Sequence, residues 1–355
     1  MNINWEMNLK ILTYSEIDRA EWGRLVHASS TGTWFQTPEA YEFWASMPEL
    51  FRPFVSAISC QPSEIRNQTL RGVCVGYVTV EKNPIRQFFT RRAIIIGGPA
   101  LVDDCTDEEV NELMKAVRNG LQGHNEADSL RSDAIYIETR NFNDYSRWRG
   151  AFEEAGFEYK AHLNFHVDCR DAEAMWNRMS DNRRRQIRRV KDDGVCEGVT
   201  EQNVMEWYAI LAELYRTKVR TPLFPMSFFL EAYRQGIGHY MMVRHEGKII
   251  GGSMIVRDER CAYEWFECGL NTEYKDQYPS VMATYAGMQY AHENGCQRYD
   301  MMGAGVPGVP YGVRDFKAEF GGEKVEQGRF LYIANPILYA LGKAGVKMMK
   351  GMRVC

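Results

Sequence analysis

The chain has 355 residues, 45% apolar and 25% charged, which is the balance of a globular protein and not of a disordered or fibrous one. That length exceeds what a single hydrophobic core usually serves, so two domains are expected. A net charge of -4 and a pI near 6.1 exclude a surface that is basic throughout, so any anionic partner has to be met by a local patch.

Nine cysteines without a CxxC pair and seven histidines without HExxH spacing predict reduced thiols, a cytoplasmic setting and no metal. The start, Met1 to Lys10, lacks the basic and apolar regions of a signal peptide, and no stretch reaches the roughly 18 apolar residues of a membrane helix.

In chain order, helical material from Glu16 to Met47 precedes a meander of strands at Phe51–Cys60, Gly72–Glu81 and Ala93–Gly97. Thr106–Gln122 follows as a helix, with acids in its first turn and Val110, Leu113, Met114, Val117 and Leu121 at helical spacing. Then come a strand at Ala134–Glu138, a helix at Tyr145–Ala155 ended by Gly156, and a strand at Phe157–Val167. The order repeats: helices at Met205–Lys218 and Pro225–Arg234, a meander of Tyr240–Arg244, Ile249–Arg257 and Ala262–Leu270, a helix at Pro279–Glu293, and strands at Arg298–Met302 and Arg329–Ile333. This reads as an α/β (α+β) protein made of two copies of one unit, each a mixed, mainly antiparallel sheet flanked by helices. The expected domains are 1–168, 169–335 and a C-terminal helix at 336–355.

Five segments carry chemistry. GAGVPG, Gly303 to Gly308, fits GxGxxG, but Pro307 and Pro310 keep it from opening a helix, so it reads as a ligand-shaping loop and not a dinucleotide site. SDNRRRQIRRVK, Ser180 to Lys191, places six positive charges in its last nine residues behind good N-cap residues. Arg183 shares a helix face with Ile187 and Val190 and should point inward, where a guanidinium beside a helix start would hold phosphate; a solvated face is the plainer reading of the run. In WFQTPEAYEFW, Gln36 and Thr37 precede a helix opened by Pro38 and either cap it or reach a ligand. In DFKAEFGG, Lys317 stands between Phe316 and Phe320, either snorkelling or carrying an ammonium to a reacting carbonyl. The tail from Gln327 to Cys355 has five bases and no acid, with Ile337, Leu338, Leu341, Val346, Met349 and Met352 interleaved with Lys343, Lys347 and Lys350. It predicts a basic amphipathic helix that docks on the protein or lies on a membrane.

Four segments, FQTPEAYEFW, NRRRQIRRVKDDGV, YPSVMATYAGMQYAHENGCQRYDMMGAG and VRDFKAEFGG, together resemble the Fem family of peptidoglycan aminoacyltransferases and related FemAB-like GNAT proteins. The resemblance implies two tandem GNAT-like lobes, an acceptor held between them and transfer beside the second. It implies that Lys317 serves the acyl donor and the transition state, that Phe316 stacks near the donor, that Arg183 or Arg184 meets the acceptor's phosphate, and that Tyr263 contacts the acceptor. It leaves the donor open between aminoacyl-tRNA and acyl-CoA, since no coiled-coil arm is present and the QxxGxG-like pyrophosphate turn is absent at Asp276–Ser280. No bound cofactor is expected beyond that co-substrate. The implied reaction is attack of an amine on an ester or thioester carbonyl, with Asp315, Glu319, Glu264 and Glu267 as candidate bases. The acceptor would be a phosphate-bearing cell-wall or envelope precursor, reached at the inner face of the membrane. A non-catalytic RNA-binding protein using the Arg183–Lys191 helix is the alternative from another class.

Overall fold

The computed structural model describes residues 8–61, 69–121, 134–190 and 199–351. The chain divides into two compact units, residues 1–161 with 327–355, and residues 162–326.

The first unit contains, in chain order, β1 (Asn8–Leu12), α1 (Arg19–Ala28), α2 (Pro38–Ala45), β2 (Phe51–Gln61), β3 (Thr69–Thr79), α3 (Pro84–Thr90), β4 (Arg92–Gly97), β5 (Ala100–Leu101), α4 (Asp107–Gly120), β6 (Tyr136–Asn141), α5 (Arg149–Glu154) and β7 (Glu158–Lys160). The second contains β8 (Leu163–Asp168), α6 (Ala172–Arg178), α7 (Asp181–Arg189), α8 (Glu201–Leu214) running into a π-helical turn at Tyr215–Val219, α9 (Met226–Arg234), β9 (His239–His245), β10 (Lys248–Arg257), β11 (Cys261–Gly269), α10 (Pro279–Glu293), β12 (Arg298–Asp300), α11 (Gly312–Ala318) and β13 (Glu323–Glu326). The chain then returns to the first unit as β14 (Arg329–Ile333) and α12 (Pro336–Gly351).

The first sheet runs β1-β2-β3-β4-β6-β14-β7, with β5 on β3; β4 and β6 are parallel and the other neighbours antiparallel. The second runs β13-β8-β12-β11-β10-β9, with β11 and β12 its parallel pair. Both are the mixed, mainly antiparallel sheets read from the sequence. The helix expected at Thr106–Gln122 is α4, started by a capping box between Thr106 and Glu109, and its apolar stripe is wholly buried against the first sheet's core.

The domain boundaries differ from those expected. The run Phe157–Val167 is two strands in different sheets: β7 pairs with β14, whereas β8 pairs with β12 and β13 of the second unit. The closing strand at Arg329–Ile333 likewise belongs to the first sheet, between β6 and β7. An alternating pattern marks a strand but not the sheet that supplies its hydrogen bonds, so a division at residue 168 followed the chain instead of the pairing. The C-terminal helix forms as α12 and falls within the first unit; residues 352–355 lie outside the described residues.

Candidate functional site

In the second unit β11 and β12 pair over three residues only, Cys261–Tyr263 against Arg298–Asp300. Beyond that point β11 continues to Gly269 along β10, while the chain after Asp300 parts from β11 and stays bonded to β8 through Met301, Ala304 and Gly305. A bulge opposite Met254 and Ile255 leaves Trp265 without a partner residue, which brings Glu264 and Glu267 toward the same face. Parting strands with a bulge at the opening are a common way to build a site, because backbone and side chains there are not committed to the ladder.

The opening is polar and buried. Glu264 is 6% exposed, while Thr284 on α10 and Tyr299 on β12 are fully buried. Among the described residues, Glu264 Oε1, Glu267 Oε1, Thr284 Oγ1 and Tyr299 OH are buried without a hydrogen bond of acceptable geometry, although Thr284 and Tyr299 stand close enough to Glu264 to favour its charged form. Burial pushes the Glu264 carboxyl up against the opposing pull of Lys317. Burial, with the neighbouring Glu264 carboxylate adding to it, raises Glu267 to about 8. Glu267 is therefore mostly protonated at neutral pH, and a modest change in its surroundings switches it. Gly287 makes room for Tyr299: a Cβ there would stand 2.3 Å from the Tyr299 hydroxyl.

Lys317 lies on α11, buried, with its ammonium donating to the carbonyl oxygens of Met301, Met302 (3.4 Å) and Gly303 (2.9 Å). An ammonium has three donors, so this set engages them all. Burial pulls its pKa down, opposed by Glu264, Asp300 and Glu267. The same segment is tied from the other side. The Met302 N–H donates to Asp300 Oδ1 at 2.8 Å, the Gly303 N–H to Asn164 Oδ1 at 2.9 Å, and Asn164 Nδ2 to Asp300 Oδ1 at 2.7 Å. Asp300 Oδ2 sits 3.2 Å from His166 Nε2. Burial pushes Asp300 up, but His166, Arg298 and Asn164 outweigh it and hold the carboxyl below its usual range. Met302, Gly303 and Gly305 all have positive φ, which is what the glycines of GAGVPG are for, and α11 starts only at Gly312, so no helix opens on that loop.

Arg183 points inward, as its spacing from Ile187 predicted, and is 5% exposed. Its guanidinium lies over both Phe316 and Phe320, each ring centroid 4.7 Å away, while the two rings meet edge-on at 5.3 Å. It donates to Gln186 Oε1 (2.8 Å) and to the Phe316 carbonyl (3.2 Å), and pairs with Glu319 at 3.3 Å. The same Glu319 carboxylate accepts from Asn182 Nδ2 (3.2 Å) and Ser180 Oγ (3.4 Å) at the start of α7. The anion at this helix terminus is the protein's own Glu319, which occupies the place where an acceptor's phosphate was expected to meet Arg183. Arg184 is turned elsewhere, toward the Asn177 carbonyl at 2.7 Å and Asp181. Phe316 stacks on Arg183 and meets Phe320 edge-on, so its expected place beside a donor is taken on one face by the guanidinium.

Three other residues expected to contact ligand have partners within the protein. Gln36 is fully buried; its amide donates to the carbonyls of Val75 (3.0 Å) and Ile96 (2.9 Å) and accepts from the Val75 N–H (2.7 Å), bridging β3 and β4 where their own pairing has stopped. Thr37 caps α2, accepting from the Ala40 N–H at 3.1 Å and donating to the Trp34 carbonyl at 2.8 Å. Tyr263 is fully buried with its hydroxyl 3.1 Å from Asp258 Oδ2. None of the three has a polar atom free for a substrate without local rearrangement.

Asn164, His166, Thr284, Tyr299 and Asp300 were missed as site residues. The one sequence signal for them was an acid, Asp300, in the short strand that runs into Met301, Met302 and the glycines.

Residues 177–318 match the family described as "Acetyltransferase (GNAT) domain". Among solved structures, FemX is similar over 94% of this chain and 99% of its own, at 15% identity and a TM-score of 0.66. A tandem GNAT protein from the clavulanic acid biosynthesis pathway covers 93% and 99%, at 10% identity and a TM-score of 0.52. The C-terminal domain assigned to a lysylphosphatidylglycerol synthetase from Agrobacterium fabrum covers 93% and 97%, at 14% identity and a TM-score of 0.51. No curated protein sequence matches the chain. Two GNAT-like units and a matched acetyltransferase domain agree with the resemblance drawn from the sequence. Residues 177–318 thus carry the match to a GNAT acetyltransferase domain, and the chain shares its fold with FemX and with a tandem GNAT protein.

Proposed function

We propose that the second unit transfers an aminoacyl group from aminoacyl-tRNA to an amine of a phosphate-bearing cell-wall precursor, working at the cytoplasmic face of the membrane. The amine nitrogen attacks the ester carbonyl, the C–N bond forms, the bond from the acyl carbon to the ribose oxygen breaks, and that oxygen takes up the proton lost by the amine to leave as a hydroxyl. Glu267 is the base for the amine's proton, because its raised pKa matches a proton transfer near neutrality. Lys317 fixes the Met301–Gly303 carbonyls at the edge of the opening and sets a positive charge beside Glu264 and Glu267, which makes it a positioning residue in this arrangement.

The observation that carries the choice of donor is at the start of α10. The Ser280 N–H donates to Asn271 Oδ1 at 3.2 Å and Asn271 Nδ2 to Ser280 Oγ at 2.6 Å, while Pro279 supplies no N–H at all. A helix terminus already capped in this way is poorly prepared for the pyrophosphate of an acyl-CoA. The similarity to FemX and to a lysylphosphatidylglycerol synthetase domain supports an envelope acceptor in the same sense. An acyl-CoA-dependent N-acyltransferase of another envelope metabolite is the second reading.

The test is to incubate the protein with radiolabelled aminoacyl-tRNA or with acetyl-CoA and a panel of amine-bearing envelope precursors. Label passing from tRNA to an amine supports the proposal, and label passing only from acetyl-CoA establishes the second reading. Tight tRNA binding without any transfer would return the chain to the RNA-binding class.

A further inference from the structure

α12 is docked on the first unit by one face. Tyr339 meets Tyr136 of β6 edge-on at 5.3 Å, and the backbone of Gly342 lies against α3, where an added Cβ would stand 3.6 Å from the Phe89 carbonyl. The other face is open: Ile337 is 73% and Leu341 53% exposed, one helical turn apart. The adjoining α3 presents Phe88 and Phe89, 48% and 41% exposed, with their rings edge-on at 5.1 Å. Two touching helices therefore each offer a pair of large apolar side chains to the outside, which isolated exposed residues on a soluble surface do not.

The surrounding charges identify what covers them. Arg91 lies 5.6 Å over the Phe88 ring, Lys343 lies 5.4 Å over Tyr339, and Lys82 is exposed at the start of the α3 segment. In sequence, α12 carries Lys343, Lys347 and Lys350 and no acid in a chain whose net charge is -4, and Glu81 is the one acid between 80 and 92. Apolar and aromatic side chains rimmed by long cationic ones fit an interface where acyl chains meet anionic head groups. No helix among the described residues is long and apolar enough to cross a membrane. We propose that α3 and α12 together form a docking surface that lies on an anionic lipid bilayer. Two elements bind more strongly than one because binding scales with the apolar area buried and with the attraction to anionic lipid.

The experiment is co-sedimentation of the full chain with vesicles of POPC containing about a quarter POPG, against POPC alone. Binding to the anionic vesicles, lost in about 0.5 M NaCl, is expected. Phe88→Ser/Phe89→Ser and Ile337→Ser/Leu341→Ser should each lower partitioning by about tenfold with unchanged melting, since the side chains replaced are exposed. Lys343→Glu should weaken binding without touching the apolar pairs. No binding by the intact protein, or parental binding by both double variants, overturns the proposal. A monomer–dimer equilibrium abolished by the same substitutions, with no vesicle binding, assigns the patch to a second copy instead.

Discussion

The Glu319 carboxylate lies 3.3 Å from the Arg183 guanidinium, and this pair closes the helix terminus that the arginine-rich segment seemed built to open. Arg183→Ala removes a buried cation that lies over two phenylalanine rings and leaves the Phe316 carbonyl and Gln186 without their donor. A loss of about 2 to 4 kcal/mol in denaturant unfolding is expected. Glu319→Gln keeps the shape and removes the internal anion. If acceptor phosphate uses this place, isothermal titration should show inorganic phosphate binding more tightly to Glu319→Gln than to the parent; equal affinity means Arg183 serves only the fold.

Glu267 gives a pH dependence with a defined sign. Its folded pKa, about 8, lies above the ordinary carboxylate value, so the folded state holds a proton that the unfolded state has released across that interval. Its contribution to stability is then greatest below the unfolded pKa and falls as pH rises toward about 8, by at most about 1.4 kcal/mol per pH unit. Glu267→Gln should flatten this fall, seen as a stability gain over the parent that is larger at pH 8 than at pH 5. As the base, Glu267 also requires kcat/KM to climb to a plateau above its pKa, and a flat profile across that range would remove it from the role.

Lys317→Met keeps the aliphatic stem and deletes the donor to three carbonyls. Loss of transfer by roughly 10²-fold is expected together with a lower melting temperature, because buried carbonyls lose their partner and Glu264 and Glu267 lose the cation beside them. A fall in kcat with an unchanged melting temperature would instead point to an ammonium that reaches the transition state.

Gln36→Ala should cost about 2 to 3 kcal/mol without changing KM for either substrate, since three buried backbone groups lose their partner and nothing replaces it. A raised KM at parental stability would restore Gln36 to the ligand.

Much of this protein is legible locally. The helix read at Pro279–Glu293 and the strand at Arg329–Ile333 have those bounds in the structure, because proline, glycine and periodicity act over a few residues. The same locality turned Arg183 inward and set Lys317 between two phenylalanines. What lay out of reach was the choice of partners across the fold. Asn164 reaches Asp300 across 136 residues, Glu319 closes the start of α7, the bulge at Trp265 brings Glu264 and Glu267 together, and β8 and β14 each join a sheet that their position in the chain does not indicate. A hydrogen-bonding edge or a guanidinium accepts any partner of the right chemistry, so sequence specified the groups on offer, and only tertiary packing decided which of them met.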